Sequence, residues 1–194
     1  MEDDTQQSKD RLPPGQRLTT DFPVLHYAGV PRVDLATWRF EVAGEVAHPL
    51  QLSHSEFLAL PKVTIISDFH CVTGWSRFDN RWEGVGCKEI ASRCAPLASA
   101  RFVTISSEDN YTTSLPLEQL LDDDVLLAYA HDGKQLAPEH GGPLRLIVPK
   151  RYAYKSAKWV KGLKFTVGQE IGFWEDRGYS NSADPWKEER YGRP

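Results

Sequence analysis

Cysteine is scarce in this chain. There are three, Cys71, Cys87 and Cys94, an odd number with no C-x-x-C spacing, which argues against a disulfide framework and against a structural zinc site. No apolar run approaches the roughly 18 residues that a membrane span requires. Basic residues are the minority: 23 Lys and Arg against 27 Asp and Glu leave a net charge of −4, which argues against non-specific nucleic-acid binding. The N-terminus, Met1-Glu2-Asp3-Asp4-Thr5-Gln6-Gln7, is acidic and polar where a signal peptide is basic and then apolar, so the expected location is cytoplasmic. Internal repeats, low-complexity tracts and a glycine-rich phosphate loop are all missing.

What is present suits one domain with a sizeable core: 194 residues, 40% of them hydrophobic and 26% charged. The first twenty residues are polar and contain Pro13-Pro14-Gly15, so residues 1–20 read as an extended arm and 21–194 as a single domain. Trp38 to Val42 alternates apolar with charged residues as a half-buried strand does, and Gly44 closes it. Ser53 with Glu56 three positions later forms a capping-box pattern ahead of Phe57 and Leu58. Arg101–Ser106 and Tyr111–Leu115 read as a hairpin about the turn-prone Ser107-Glu108-Asp109-Asn110. A short helix follows Pro116, and Val125–Tyr129, Leu144–Val148 and Lys164–Val167 read as strands. Many strands, short helices and irregular turn signals favour an α+β domain, mostly β, over a doubly wound α/β one. The aromatic stretch from Gly172 to Trp186 is expected to wrap back onto that domain.

Two features carry chemistry. Cys71 lies in Asp68-Phe69-His70-Cys71-Val72-Thr73-Gly74-Trp75-Ser76, after the β-prone Val63-Thr64-Ile65-Ile66 and before a glycine, where a buried strand opens into a loop. A thiolate there can ligate a soft metal or act as a nucleophile, and an inert core thiol is the plain alternative. Cys87 and Cys94, seven apart on a short helix, read as core thiols sharing a face. The second feature is the stretch from His140 to Lys161, which holds Arg145, Lys150, Arg151, Lys155, Lys158 and Lys161 and no acid. Such a segment in an acidic chain suits a phosphate-bearing ligand, with Gly141-Gly142 permitting close approach; a solvated face paired with Asp122, Asp123 and Asp124 is the competing reading.

Three motifs, in order, carry a family resemblance: Phe69-His70-Cys71-Val72-Thr73-Gly74-Trp75-Ser76, Glu139-His140-Gly141-Gly142-Pro143-Leu144-Arg145, and Lys155-Ser156-Ala157-Lys158-Trp159-Val160. Together they resemble the molybdopterin-binding domain of sulfite-oxidase-like oxidoreductases. Phe22-Pro23-Val24-Leu25-His26-Tyr27 and Gly172-Phe173-Trp174-Glu175 resemble the family's small single-domain members, so the likeness runs over about residues 12–192. It implies a thiolate from Cys71 to molybdenum, whose other sulfurs come from one molybdopterin. It further implies cofactor contacts from His140 and Arg145, from Ser156, Ala157 and Lys158 with Lys155 beside them, from His26 and Tyr27, and from Asp109, with His70 and Trp75 flanking the thiolate.

The implied activity is oxygen-atom or two-electron transfer on a small substrate, with an external electron-transfer partner. Sulfite-oxidising members place arginines beside the metal, whereas here Trp75 and Ser76 precede Arg77, and neither Arg77 nor Arg81 sits in a clear match. An S-oxide or N-oxide, as in the methionine-sulfoxide-reducing branch, is therefore as good an expectation as sulfite. The readings from other classes are a hydrolase with Cys71 as nucleophile and His70 or His140 as base, and a non-catalytic binder of a phosphorylated ligand. Since neighbours on a strand face opposite ways, His70 is poorly set to serve Cys71.

Overall fold

A computed structural model describes residues 10–192, so residues 1–9 of the expected arm lie outside the described residues. Two sheets organise the chain. One carries β1 (Arg17–Leu18), β4 (Val63–Cys71), β5 (Trp75–Gly86), β8 (Leu126–His131), β9 (Lys134–Gln135) and β10 (Arg145–Ile147). The other runs in the order β3 (Leu50–Ser53), β2 (Arg39–Gly44), β11 (Val160–Thr166), β6 (Phe102–Ser107), β7 (Thr112–Pro116). Among the described residues, the sheets are accompanied by the short helices α1 (His54–Leu58), α2 (Cys87–Cys94) and α3 (Leu117–Leu120) and by single 3-10 turns. The architecture is the mixed, mostly-β α+β fold expected from the sequence.

Local chemistry explains most boundaries. Ser53 caps α1, its side chain accepting from the Glu56 amide while Glu56 returns a bond to the Ser53 amide. The 6/7 hairpin pairs antiparallel from Phe102↔Pro116 to Ser106↔Thr112. Strand β11 begins at Val160, earlier than Lys164, because its first residues pair with Ser106 and Ser107 on one side and its next ones with β2 on the other. The parallel β2–β11 pair joins residues far apart in sequence and draws the basic segment under the first half of the chain.

Strand β5 is the element that sequence pattern alone does not give. Arg77, Asp79, Asn80, Arg81 and Glu83 break its apolar alternation, yet it is the longest strand and lies between β4 on one side and β1 and β8 on the other. Its buried Asn80 is satisfied by donating to the carbonyls of Ser67 and Arg77 at 3.2 and 2.8 Å. A register shift opposite Ser67–Phe69, with Asp79 at φ 56°, lets Trp75 and Trp82 face the same side despite their odd separation.

That side matters. The main core fills the space between the sheets and includes Phe40, Val42, Cys87, Ile90, Cys94, Ile105, Leu127, Leu146 and Phe165, so Cys87 and Cys94 are the core thiols expected. A second, smaller cluster of Phe69, Cys71, Trp75, Trp82, Leu126 and Ile147 lies apart from it, and Phe22 packs against it. Phe22 meets Phe69 at 5.3 Å, Trp82 at 5.9 Å and the His140 ring at 4.7 Å. Among the described residues no helix is long and apolar enough to cross a membrane.

Candidate cofactor site

Cys71 is the last residue of β4 and only 8% exposed, with its side chain in the wall of a cavity of about 320 Å³. The turn after it is fixed through main-chain groups. The Gly74 amide, at a φ of 94° that suits glycine, donates to the Cys71 carbonyl at 3.0 Å, and Gln16 Nε2 donates to the same oxygen at 3.2 Å. Arg190, reaching across from the C-terminal wrap, donates its guanidinium to the Val72 carbonyl. Thr73 Oγ1 lies 3.1 Å from Cys71 Sγ. The thiol is thus held by the fold while its tip faces open space.

The opposite wall comes from the basic segment, which divides by function. Arg145 on β10 is buried, donates to the His140 carbonyl at 2.9 Å, and lies over the Phe69 and Phe22 rings at 4.9 and 5.6 Å. Its Nε has no hydrogen-bond partner, and burial pulls its pKa down to about 10, with Cys71 offsetting part of that. Lys158 also faces the cavity, donates to the Glu139 carbonyl at 2.7 Å, and is pushed down to about 7 by burial and then by the like charge of Arg145. Between them run Ser156 and Ala157. The Ser156 hydroxyl accepts from the Val148 amide at 3.0 Å and the Ala157 carbonyl from the Leu146 amide at 2.9 Å, which pins this stretch to β10.

Lys150, Arg151 and Lys155 have other partners. Lys150 pairs with Asp122 and Asp124, two of the three acids proposed for a solvated face, while the third, Asp123, pairs with Lys88; Arg151 bonds Gln119. Lys155 is fully buried and faces away from the cavity, its ammonium donating to the Ser114 carbonyl and paired with Glu175, whose other partner is the Thr113 hydroxyl. Gly141 and Gly142 are also absent from the cavity wall. A side chain at Gly142 would meet the Leu136 carbonyl at 2.2 Å and one at Gly141 the Lys158 stem at 2.9 Å, so this pair packs chain against chain.

Of the expected contact residues, the structure brings His26, Tyr27, Cys71, Trp75, Asp109, Arg145, Ser156, Ala157 and Lys158 to one cavity. It leaves His70, His140 and Lys155 out of the wall. His70 points to the other face of β4, bonded at 2.8 Å to the Ser76 hydroxyl. His140 contributes its carbonyl to Arg145 and its ring to Phe22. A cysteine hydrolase therefore lacks both of the bases proposed for it. Tyr27 is an exposed part of the wall, its ring 4.1 Å from Phe173 and its hydroxyl donating to the Asp109 carbonyl at 3.2 Å.

Sequence reasoning missed Phe22, Tyr111, Tyr154, Trp174 and Tyr179 as wall residues. The signal was the density of aromatics near the basic segment and in the C-terminal wrap, which core packing explains equally well from sequence. Tyr111 donates to the Tyr154 carbonyl at 2.5 Å and Tyr154 to the Ser180 carbonyl at 2.6 Å, so the first hydroxyl is committed to the basic segment and the second to holding the wrap.

Among the described residues no group of three or more His, Cys, Asp or Glu converges on a point, so a metal at Cys71 needs most of its donors from outside the chain. The buried guanidinium with an unpartnered Nε calls for an anion in the same space. A soft metal whose sulfur ligand carries a phosphate meets both conditions. The model of the oxidoreductase molybdopterin-binding domain matches residues 27–174. The chain belongs to this molybdopterin-binding oxidoreductase family. Its cofactor is molybdenum held by molybdopterin.

The chain is similar to an uncharacterized oxidoreductase of Bacillus subtilis (strain 168), with 46% identity over 93% of this chain and 92% of that protein. It is also similar to the catalytic subunit of the protein-methionine-sulfoxide reductase of Campylobacter jejuni, with 28% identity over 71% of this chain; it spans about half of that subunit, 52%. The sulfane dehydrogenase SoxCD of Paracoccus pantotrophus shares the fold, with a TM-score of 0.68 at 21% identity over 74% of this chain and 42% of that one.

In a molybdopterin-binding oxidoreductase with this cavity, Arg145 sets a trade between stability and binding. Arg145→Met is expected to raise the melting temperature of the cofactor-free protein, because it removes an uncompensated buried charge. The same change should cut pterin retention about tenfold or more, a charge-assisted hydrogen bond contributing roughly 1.5–3 kcal/mol. Thermal melts and fluorescence assay of released pterin check the two halves separately.

Proposed function

We propose that the chain reduces an S-oxide or N-oxide, a neutral substrate, in preference to oxidising sulfite. In the proposed site the Cys71 thiolate ligates molybdenum, Arg145 and Lys158 take the cofactor's anionic end, and Ser156 and Ala157 line the bed between them. The bound cofactor supplies two-electron oxygen-atom exchange. The oxide takes up two electrons and two protons and leaves as sulfide or amine, with water as the other product. The electrons come from an external partner, in keeping with the word "subunit" in the name of the Campylobacter relative.

One observation carries the preference. Arg145 and Lys158 are the basic Lys and Arg side chains of the cavity wall among the described residues, and aromatic rings make up much of the rest: Phe22, Tyr27, Phe69, Trp75, Tyr111, Tyr154, Trp159, Trp174 and Tyr179. Arg77 is turned away and spent on Asn80 and Asp132, and Arg81 on Glu83. With both wall cations assigned to the cofactor, no arginine is left to hold a sulfite dianion, whereas aromatic faces suit a neutral, partly apolar oxide. The wall also keeps bulk water from the reacting edge, strengthening the polar contacts that remain. Stopped-flow mixing decides it: chemically reduced holoprotein should be reoxidised by dialkyl sulfoxides or amine oxides, and oxidised holoprotein should be bleached slowly or not at all by sulfite. Rapid bleaching by sulfite with no response to oxides would overturn the preference.

A further inference from the structure

The loop after Cys71 contains a hydroxyl with no other assigned task. Thr73 is exposed on its outer side, lies in the cavity wall, and holds its Oγ1 3.1 Å from Cys71 Sγ. The contact follows from the turn. Gly74 closes back on the Cys71 carbonyl, so the residue between Val72 and Gly74 is folded over the end of the strand, and its side chain lands beside the sulfur two positions earlier. Gln16 and Arg190 fix the carbonyls of Cys71 and Val72 independently, so the placement does not rest on the thiol itself. A neutral thiol can donate in this pair, but a thiolate is an acceptor only, and Thr73 is then the donor.

We propose that Thr73 is a positioning residue that tunes Cys71 through a hydrogen bond to its sulfur. The inference rests on the reading of Cys71 as the metal-bound thiolate. Hydrogen bonds to a ligating sulfur draw electron density from it and reduce what it gives to the metal, which favours the reduced centre and raises its potential. The same bond lowers the energy of the Cys71 sulfur lone pairs, so the absorption band that runs from this thiolate to the metal, distinct from those of the pterin sulfurs, moves to shorter wavelength. It also restricts Cys71 χ1, holding the sulfur toward the cavity through the change of oxidation state.

The test uses holoprotein from a host that makes the cofactor, with Thr73→Val and Thr73→Ser beside the wild type. Valine keeps the β-branched shape and removes the donor; serine restores the donor without the methyl. Thr73→Val should show a more negative midpoint in a redox titration and an absorption band displaced to longer wavelength, with molybdenum and pterin content unchanged. Thr73→Ser should return both toward the wild type. A merely structural threonine would move neither quantity at constant cofactor content, and that outcome overturns the proposal. Cys71→Ser separates the two layers. If the band survives in that variant, the assignment of Cys71 fails; if it vanishes while Thr73→Val matches the wild type, the assignment of Cys71 stands and the role of Thr73 falls.

Discussion

A Cys71→Ser protein is expected to fold, to carry pterin, and to lose both the cysteine-thiolate-to-metal absorption and turnover. Folding should survive because the partners of the turn are main-chain carbonyls: Gln16 and Gly74 bond the Cys71 oxygen and Arg190 the Val72 oxygen, whatever the side chain. Pterin should remain because Arg145 and Lys158 lie on the far wall and do not depend on the sulfur. Turnover should fall because a serine oxygen is a harder donor than thiolate and ionises far less readily, so the electronic match to a soft, sulfur-preferring metal is gone. Removing an outer partner of a metal ligand already costs about 10- to 100-fold. Loss of the ligand itself should exceed that upper figure of about 100-fold. Absorption spectra, metal and pterin per chain, and single-turnover rates measure the three parts. A variant with the wild-type spectrum and rate would remove Cys71 from the site.

The second large effect is on stability and comes from Lys155 and Glu175. Both side chains are fully excluded from solvent and paired, with the Ser114 carbonyl and the Thr113 hydroxyl completing the cluster. Burial pulls the Lys155 pKa down, and Glu175 offsets it. Glu175→Ala leaves the ammonium buried with one carbonyl for company, and breaking such a pair costs about 3–5 kcal/mol. A domain of ordinary stability, about 5–15 kcal/mol, would lose a large share of it, visible as a drop in the denaturant midpoint. The double variant Lys155→Met/Glu175→Leu removes both charges and should recover most of the loss. It should also retain pterin, because the Lys155 ammonium faces away from the cavity. A double variant that is as unstable as Glu175→Ala would show that the cluster's hydrogen bonds, and not the stranded charge, set the cost.

How much of this was legible beforehand follows from which physics is local. The Ser53 cap, the 6/7 hairpin and the end of β4 at Cys71 are written in short-range patterns, and all three hold. Strand β5 was not legible, because its buried Ser76 and Asn80 are satisfied by the side chain of Gln16 and by the carbonyls of Ser67 and Arg77. Burial of a polar residue depends on partners that a local window does not contain. The site shows the same division. Cys71, Arg145 and Lys158 could be singled out by residue type and motif, and the structure gathers them around one space. Lys155 has the same type and sits in the same motif, yet its direction is set by Glu175, twenty positions on. The other aromatic wall residues, Phe22, Tyr111, Tyr154, Trp174 and Tyr179, were invisible as such, since phenylalanine, tyrosine and tryptophan bury equally well in a core.

The partnership of Lys155 with Glu175 also fixes a sequence of events in time. Synthesis runs from the N-terminus, so Cys71, Arg145 and the Lys155–Lys158 stretch are made before residues 172–180. During that interval the lysine has no counter-charge and the cavity lacks Trp174 and Tyr179, two of its walls. The half-made vessel is open on the side that the wrap later covers, and its stabilising lock is missing. Loading of the cofactor into a closed, stable cavity thus waits until the wrap has seated.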